Sequence, residues 1–244
     1  MDIGDSFKST CKILLGEEIG ELAEFEPYLK EMLAKGLAVK SSVSGKEVFL
    51  SREHYSKNAK FVALEEVGTK QPALNVNSIK DIDSILSSLG EFAYCGNKNL
   101  GICTNVRKSD SCSDSTEIVS SSEVLGSKYI ANCYGMRQSE HSFGCMLGGE
   151  VGFCIKGHVV FYSKRCFESY LCFRSTDLYS CFNCRGCADC MFSFNQVSKR
   201  NMVGNVELPK EKYLVLKKKL LGEVAQVLRK RKSFPSVFEL AGGA

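Results

Sequence analysis

The chain has no long apolar run, few histidines and no phosphate-binding loop, and each absence narrows what it can be. No stretch approaches the ~18 apolar residues of a membrane-spanning helix. Its first residues, MDIGDSFKSTCKILLGEE, set acids before a four-residue apolar run, without the basic start and long apolar core of an export signal. The expectation is a cytoplasmic protein. The three histidines are His54, His141 and His158, and none has an Asp or Glu at metal-ligand or triad spacing. Pairing Cys145 with His158 as a nucleophile would be an arbitrary choice. GGEVG at Gly148 to Gly152 and LGGA near the end carry glycines, but neither G-x-G-x-x-G nor a Walker lysine is present. These glycines suit corners that need positive φ.

Cysteine is abundant. Nine of the thirteen lie between Cys133 and Cys190, so they belong to one local architecture, and an odd number without an export signal implies free thiols in a reducing compartment. In the same region, from Ser127 to Glu211, strand-sized segments (SFGCMLGG, CIKGHVVFY, CFESYLCFRS, YSCFNCRGC, CMFSFNQV, NMVGNVEL) alternate with small polar breaks every 10 to 14 residues. Their Phe, Tyr, Val and Cys suit pleated strands and a tight interior. Periodicity on this scale means stacked units that cannot bury their apolar faces alone. The fold class expected is mainly β, a parallel β-helix with capping helices and a small N-terminal α+β region. Two segments per coil predict a turn of about 23 residues and five coils spanning ~24 Å, with Cys166 and Cys190 one coil apart; a longer, three-segment coil is the alternative.

The chain divides on this reading into an α+β head (1–75), a capping helix (76–91), the cysteine-rich β-helix (92–209), a basic capping helix (210–232) and a tail (233–244). In the head, apolar spacing predicts a helix over Glu17 to Ala34, split where Pro27 suits a first turn. A hairpin is expected around Ser44-Gly45, and the helix over 79–90 is expected to end at Gly90 and to cover the first coil. The tail is partly disordered or docked through Phe234, Val237, Phe238 and Leu240.

The run of Cys- and aromatic-rich segments closing in NMVGNVELPKEKYLVLKKKL resembles the cysteine-rich repeat proteins of small-genome bacteria and archaea, over roughly residues 92–225. In that group a Cys-containing knuckle often precedes Ser/Thr-Gly-Lys-Glu, which would imply zinc. Here the match is KSSVSGKE, with Ser41 and Ser42 where a cysteine is expected. A looser analogy is to the β-helical domains of tubulin-cofactor and cyclase-associated proteins. The resemblance implies no catalytic residue.

Two constellations invite a functional reading. Cys181, Cys184, Cys187 and Cys190 stand at C-x2-C-x2-C-x2-C spacing, which suits zinc or an iron–sulfur cluster. The last gap and the following Met191 depart from the ferredoxin run, and cysteines continue at Cys133, Cys145, Cys154, Cys166 and Cys172 outside ligand spacing. Core thiols with no cofactor are expected. The second constellation is the basic helix: residues 210–232 carry nine Lys or Arg against two acids, while residues 1–34 carry eight acids against three lysines. Lys217, Lys218, Lys219, Arg229, Lys230, Arg231 and Lys232 could contact a partner or nucleic acid, or lie on a cap helix that meets the acidic head. Lys156, His158, Arg174, Asp177, Arg185 and Asp189 fall at breaks or are scattered, without the clustering an enzyme needs. The expected function is non-enzymatic binding or scaffolding through a β-helical surface that takes a protein partner. The alternatives are nucleic-acid binding through the basic helix, or an enzyme acting on a saccharide or acyl substrate.

Overall fold

The computed structural model describes residues 2–242 apart from 34–35, 52–53, 69–72, 138, 147 and 163; Pro72 and the break residue Ser163 lie outside it, as do the side chains of 158, 171–172 and 241–242. The protein is mainly β, a parallel solenoid of about eight turns with an N-terminal helix, a small α+β region and a C-terminal helix. Strands pair in parallel with a step of twelve residues: Lys128 faces Thr116 and Glu140, Phe161 faces Phe173, and Leu178 faces Cys190. The coil is therefore twelve residues long, not about 23, and Cys166 and Cys190 stand two coils apart. About eight such turns stack to ~38 Å. The last pairing, Arg200–Val203 with Val206–Glu207, is antiparallel.

Within each coil the period is three. Every described residue at three-residue steps from Ser109 to Ser193 is buried, Cys112, Ser115, Ile118, Ser121 and Val124 among them. The residue before each inward position commonly has positive φ, as in Asn105, Glu117, Tyr129, Asp177 and Asp189. Four such corners close one coil. The expectation of glycine at corners holds only in part, since most are L residues, each strained by about 1 kcal/mol or more. Coil stacking offsets that strain. Corner N–H groups donate to the carbonyl thirteen residues back, as Ser120 does to Arg107 and Arg174 to Phe161.

The interior selects Ser and Cys for a hydrogen-bonding reason. Ser121 Oγ donates to the Val119 carbonyl and accepts from the N–H of Cys133, one coil on; Ser175 does the same for Phe173 and Cys187. A small side chain thus satisfies a carbonyl and an N–H that the narrow tube would otherwise bury unpaired. Ser127 and Ser139, read from the sequence as parts of polar breaks, are 1% and 3% exposed and point inward.

Outside, one side of the solenoid carries a ladder of Ala131, Phe143, Ile155, Phe167, Tyr179 and Met191, joined in one core with α1 (Ile3–Leu15), α2 (Glu26–Leu29) and the C-terminal helix. α1 is absent from the sequence expectation. Asp2 and Asp5 form its capping box and Gly16 its left-handed C-cap, and Phe7 meets Phe143 edge-on at 5.2 Å. The helix expected over 17–34 is reduced to a short 3-10 turn and α2, with Pro27 in the first turn as anticipated. The hairpin pairs Leu37 with Leu50. α3 (Ile82–Phe92) forms but buries no residue; Ile82 and Leu86 are 65% and 56% exposed, and the C-cap is Ala93, not Gly90. It does not cover the first coil. α4 (Lys210–Arg231) follows the last coil and packs Tyr213, Val224, Ala225 and Leu228 into the lateral core. The tail docks: Phe234 lies against Phe167, and Phe238 of α5 (Val237–Gly242) meets Tyr170 at 4.6 Å.

Candidate functional site

The four sequence-selected cysteines are the inward positions of a single coil, and their C-x2-C spacing is the solenoid's own period of three. Cys181 Sγ donates to the carbonyls of Tyr179 and Cys190, and Cys184 Sγ to those of Phe182 and Ser193, at 3.3 to 3.6 Å. These are the bonds that interior serines make. Burial pushes the Cys190 thiol up to about 12 and raises Cys187 as well, while the hydrogen bond from Cys181 draws Cys184 down to about 7. A metal would need all four as thiolates. Among the described residues no group of three or more His, Cys, Asp or Glu is placed to hold a metal ion. Ser41, where the resemblance expects a cysteine, instead donates to Glu66 at 2.6 Å and holds the hairpin turn through the Val43 and Ser44 N–H groups.

The basic helix meets the acidic head. Arg229 pairs with Glu17 at 2.5 Å and reaches the Glu18 carbonyl, and Lys232 pairs with Glu24 at 2.9 Å. Lys217 binds Asp189 at 2.9 Å and lies over the Tyr179 ring, while Lys219 faces Glu223. Lys218, Lys230 and Arg231 have exposed side chains and no ion pair among the described residues. Of the histidines, His141 is buried, held neutral by that burial and bonded through Nδ1 to Thr10 Oγ1 at 3.1 Å. The Cys145–His158 pairing falls on a side chain outside the description.

The most perturbed polar cluster escaped the sequence reading. Lys156 and Glu168 are 5% and 4% exposed and stack one coil apart on the helix-covered side. Lys156 Nζ lies 3.4 Å from Glu168, bonds Glu31 and sits 4.1 Å above the Tyr28 ring, while the Tyr28 hydroxyl donates to Glu168 at 3.2 Å. Burial raises the Glu168 carboxyl to about 7 despite Lys156. The adjoining cavity, closed by Leu29, Val237 and Phe238, has ≈ 20 Å³, room for about one water and no substrate.

A second arrangement is open. On the side opposite the cluster's character, Arg137, Gly149, Phe161, Phe173 and Arg185 stand at twelve-residue steps, beside Glu150, Tyr162 and Arg174. Phe161, Tyr162 and Phe173 are 43%, 52% and 43% exposed. Gly135, Gly148 and Gly149 floor a notch of ≈ 490 Å³ walled by Arg137 and Glu150 on one hand and Phe161 and Tyr162 on the other. The signal for this set was available once the step was known to be twelve. Comparison with protein-family models, with curated proteins and with solved structures finds no match. Among the described residues no helix is long and apolar enough to cross a membrane.

Proposed function

We propose that the chain is a non-enzymatic binding or scaffold protein that presents this open side to a protein partner in the cytoplasm. The observation that carries the reading is the exposure of Phe161, Tyr162 and Phe173 beside Arg137 and Arg185, which make no ion pair among the described residues, while the helix-covered side buries its own apolar ladder. Contiguous exposed aromatics with Arg are what recognition surfaces are built from. The enzyme alternative is disfavoured because Glu168 and Lys156, the pair best suited to proton transfer, adjoin a cavity too small for a saccharide or acyl group. Nucleic-acid binding through α4 is disfavoured because Lys217, Arg229 and Lys232 are already engaged. The likeness to cysteine-rich repeat proteins remains one of rhythm and is part of the same proposal.

The test is photo-crosslinking in cells, with benzoylphenylalanine replacing Phe173 or, separately, Lys218. The reading expects a discrete protein adduct from position 173 that Arg185→Ala weakens. A nuclease-sensitive adduct from position 218, with none from 173, would reverse it.

A further inference from the structure

Which partner chemistry the open side fits follows from its charges, its spacing and the orientation of its rings. From Leu125 to Ser198 that side carries Arg137, Arg174 and Arg185, and Glu150 is the sole carboxylate on it among the described residues. Among the described residues Arg137 and Arg185 form no ion pair; Arg174 lies 5.2 Å from the Phe173 ring. Four coil steps separate Arg137 from Arg185, ~19 Å, which an extended chain covers in about six residues. Between them Gly149 puts no side chain into the notch, where a Cβ would stand 3.5 Å from the Phe161 ring.

We infer that this side binds a short extended acidic peptide segment with a central apolar anchor, a proposal that rests on the reading of the open side as the recognition surface. Carboxylates at the segment's two ends meet Arg137 and Arg185, whose planar guanidinium forks match a carboxylate's two oxygens. The anchor enters the notch against Phe161 and Tyr162. Glu150, at the rim, accepts a backbone N–H of the segment. A polynucleotide fits less well. Phe161 and Tyr162 both meet Phe173 edge-on, at 63° and 73°, so among the described residues this side offers no run of parallel ring faces on which successive bases could stack; the stacked rings of Tyr170, Phe182 and Phe194 lie on the neighbouring side, where Phe238 packs against the first two. Glu150 also opposes a phosphate at the notch.

The experiment uses the full chain and fluorescence anisotropy at physiological salt. The probe is a labelled heptapeptide of Asp and Glu with Leu at its centre; the comparators are the same peptide with Lys for every acid, with Gly for Leu, and a seven-nucleotide single-stranded DNA. The acidic Leu peptide should bind about tenfold or more tightly than each comparator. Combined Arg137→Ala and Arg185→Ala should cost about tenfold or more, and Phe161→Ala should weaken the Leu peptide but not the Gly peptide, with melting curves unchanged since all three side chains are exposed. Equal binding of the Lys peptide, tighter binding of the DNA, or indifference to the arginine changes overturns the inference. A persisting protein adduct at position 173 would then show that the surface is right and the segment chemistry wrong; loss of both removes the surface itself.

Discussion

Replacing Glu168 by Gln turns its buried carboxyl into a measurable pH dependence. Glu168 is held up to about 7 from an ordinary 4.5 because burial outweighs the help of Lys156 and Tyr28. Each pKa unit is about 1.4 kcal/mol, so ionising this carboxyl in the fold costs about 3 kcal/mol more than in the unfolded chain. The folded state holds the proton more tightly, so the stability this group contributes is fully present below pH 4.5 and is lost as pH rises through about 7. Gln is close in shape and charge to the protonated acid. Urea unfolding of the two proteins should therefore give similar stabilities near pH 4.5, with the Gln variant ahead by up to ~3 kcal/mol at pH 8. Lys156, Tyr28 and Glu31 are present in both, so their titration largely cancels in the difference. A difference that is flat with pH, or a wild type that gains on the variant as pH rises, would refute the burial argument.

Cys184→Ser should change stability by less than ~1 kcal/mol, because the inward Ser175, at another corner, makes the same pair of bonds to carbonyls two residues before and nine after it; elemental analysis should find under one equivalent of zinc or iron, and stoichiometric metal lost with this change would establish a metal site. Phe167→Ala removes a ring that is 1% exposed and packed on Phe234, so thermal or urea unfolding should register a loss of about 3–5 kcal/mol; a loss below ~1 kcal/mol would mean that the lateral ladder is not a true core. Replacing Arg229, Lys230, Arg231 and Lys232 together by Gln should leave the fold intact. Nucleic-acid affinity of the unmodified chain at physiological salt should stay in the ~10⁻⁴ to 10⁻⁶ M range of non-specific contacts, and nanomolar binding abolished by the four changes would contradict the engaged-helix reading.

The repeat was legible in the sequence, and its interval of twelve was already present between Ser127 and Ser139 and between Thr176 and Ala188. What could not be read was that one interval is a whole coil. Ser and Asp signal breaks in most β proteins, yet here Ser127 and Ser139 lie inside the tube, where a hydroxyl replaces a missing backbone partner. Cys181 to Cys190 misled for a related reason, since ligand spacing and an inward period of three coincide. The corners at Tyr129, Val159 and Phe192 left no trace, because positive φ at such residues is imposed by stacking, not by local preference. The opposite charges of the basic helix and the acidic head were legible, and their contact was one of two readings left open there; Arg229 and Lys232 make it through Glu17 and Glu24. The open side was not, because Arg137, Phe161 and Phe173 become neighbours only when the step is known.

The nested periods of three and twelve set a rule for how this chain can change length. Inserting one residue in a coil would rotate every later side chain by one place in three, sending arginines inward and serines out. Inserting three would keep inside and outside but move each later residue to the next side, so that Phe173 would leave the open side and Tyr179 the helix-covered one. Only twelve preserves both assignments. The coil is thus the smallest quantum in which this solenoid can grow or shrink, and with each quantum the open side lengthens by one ~4.8 Å step.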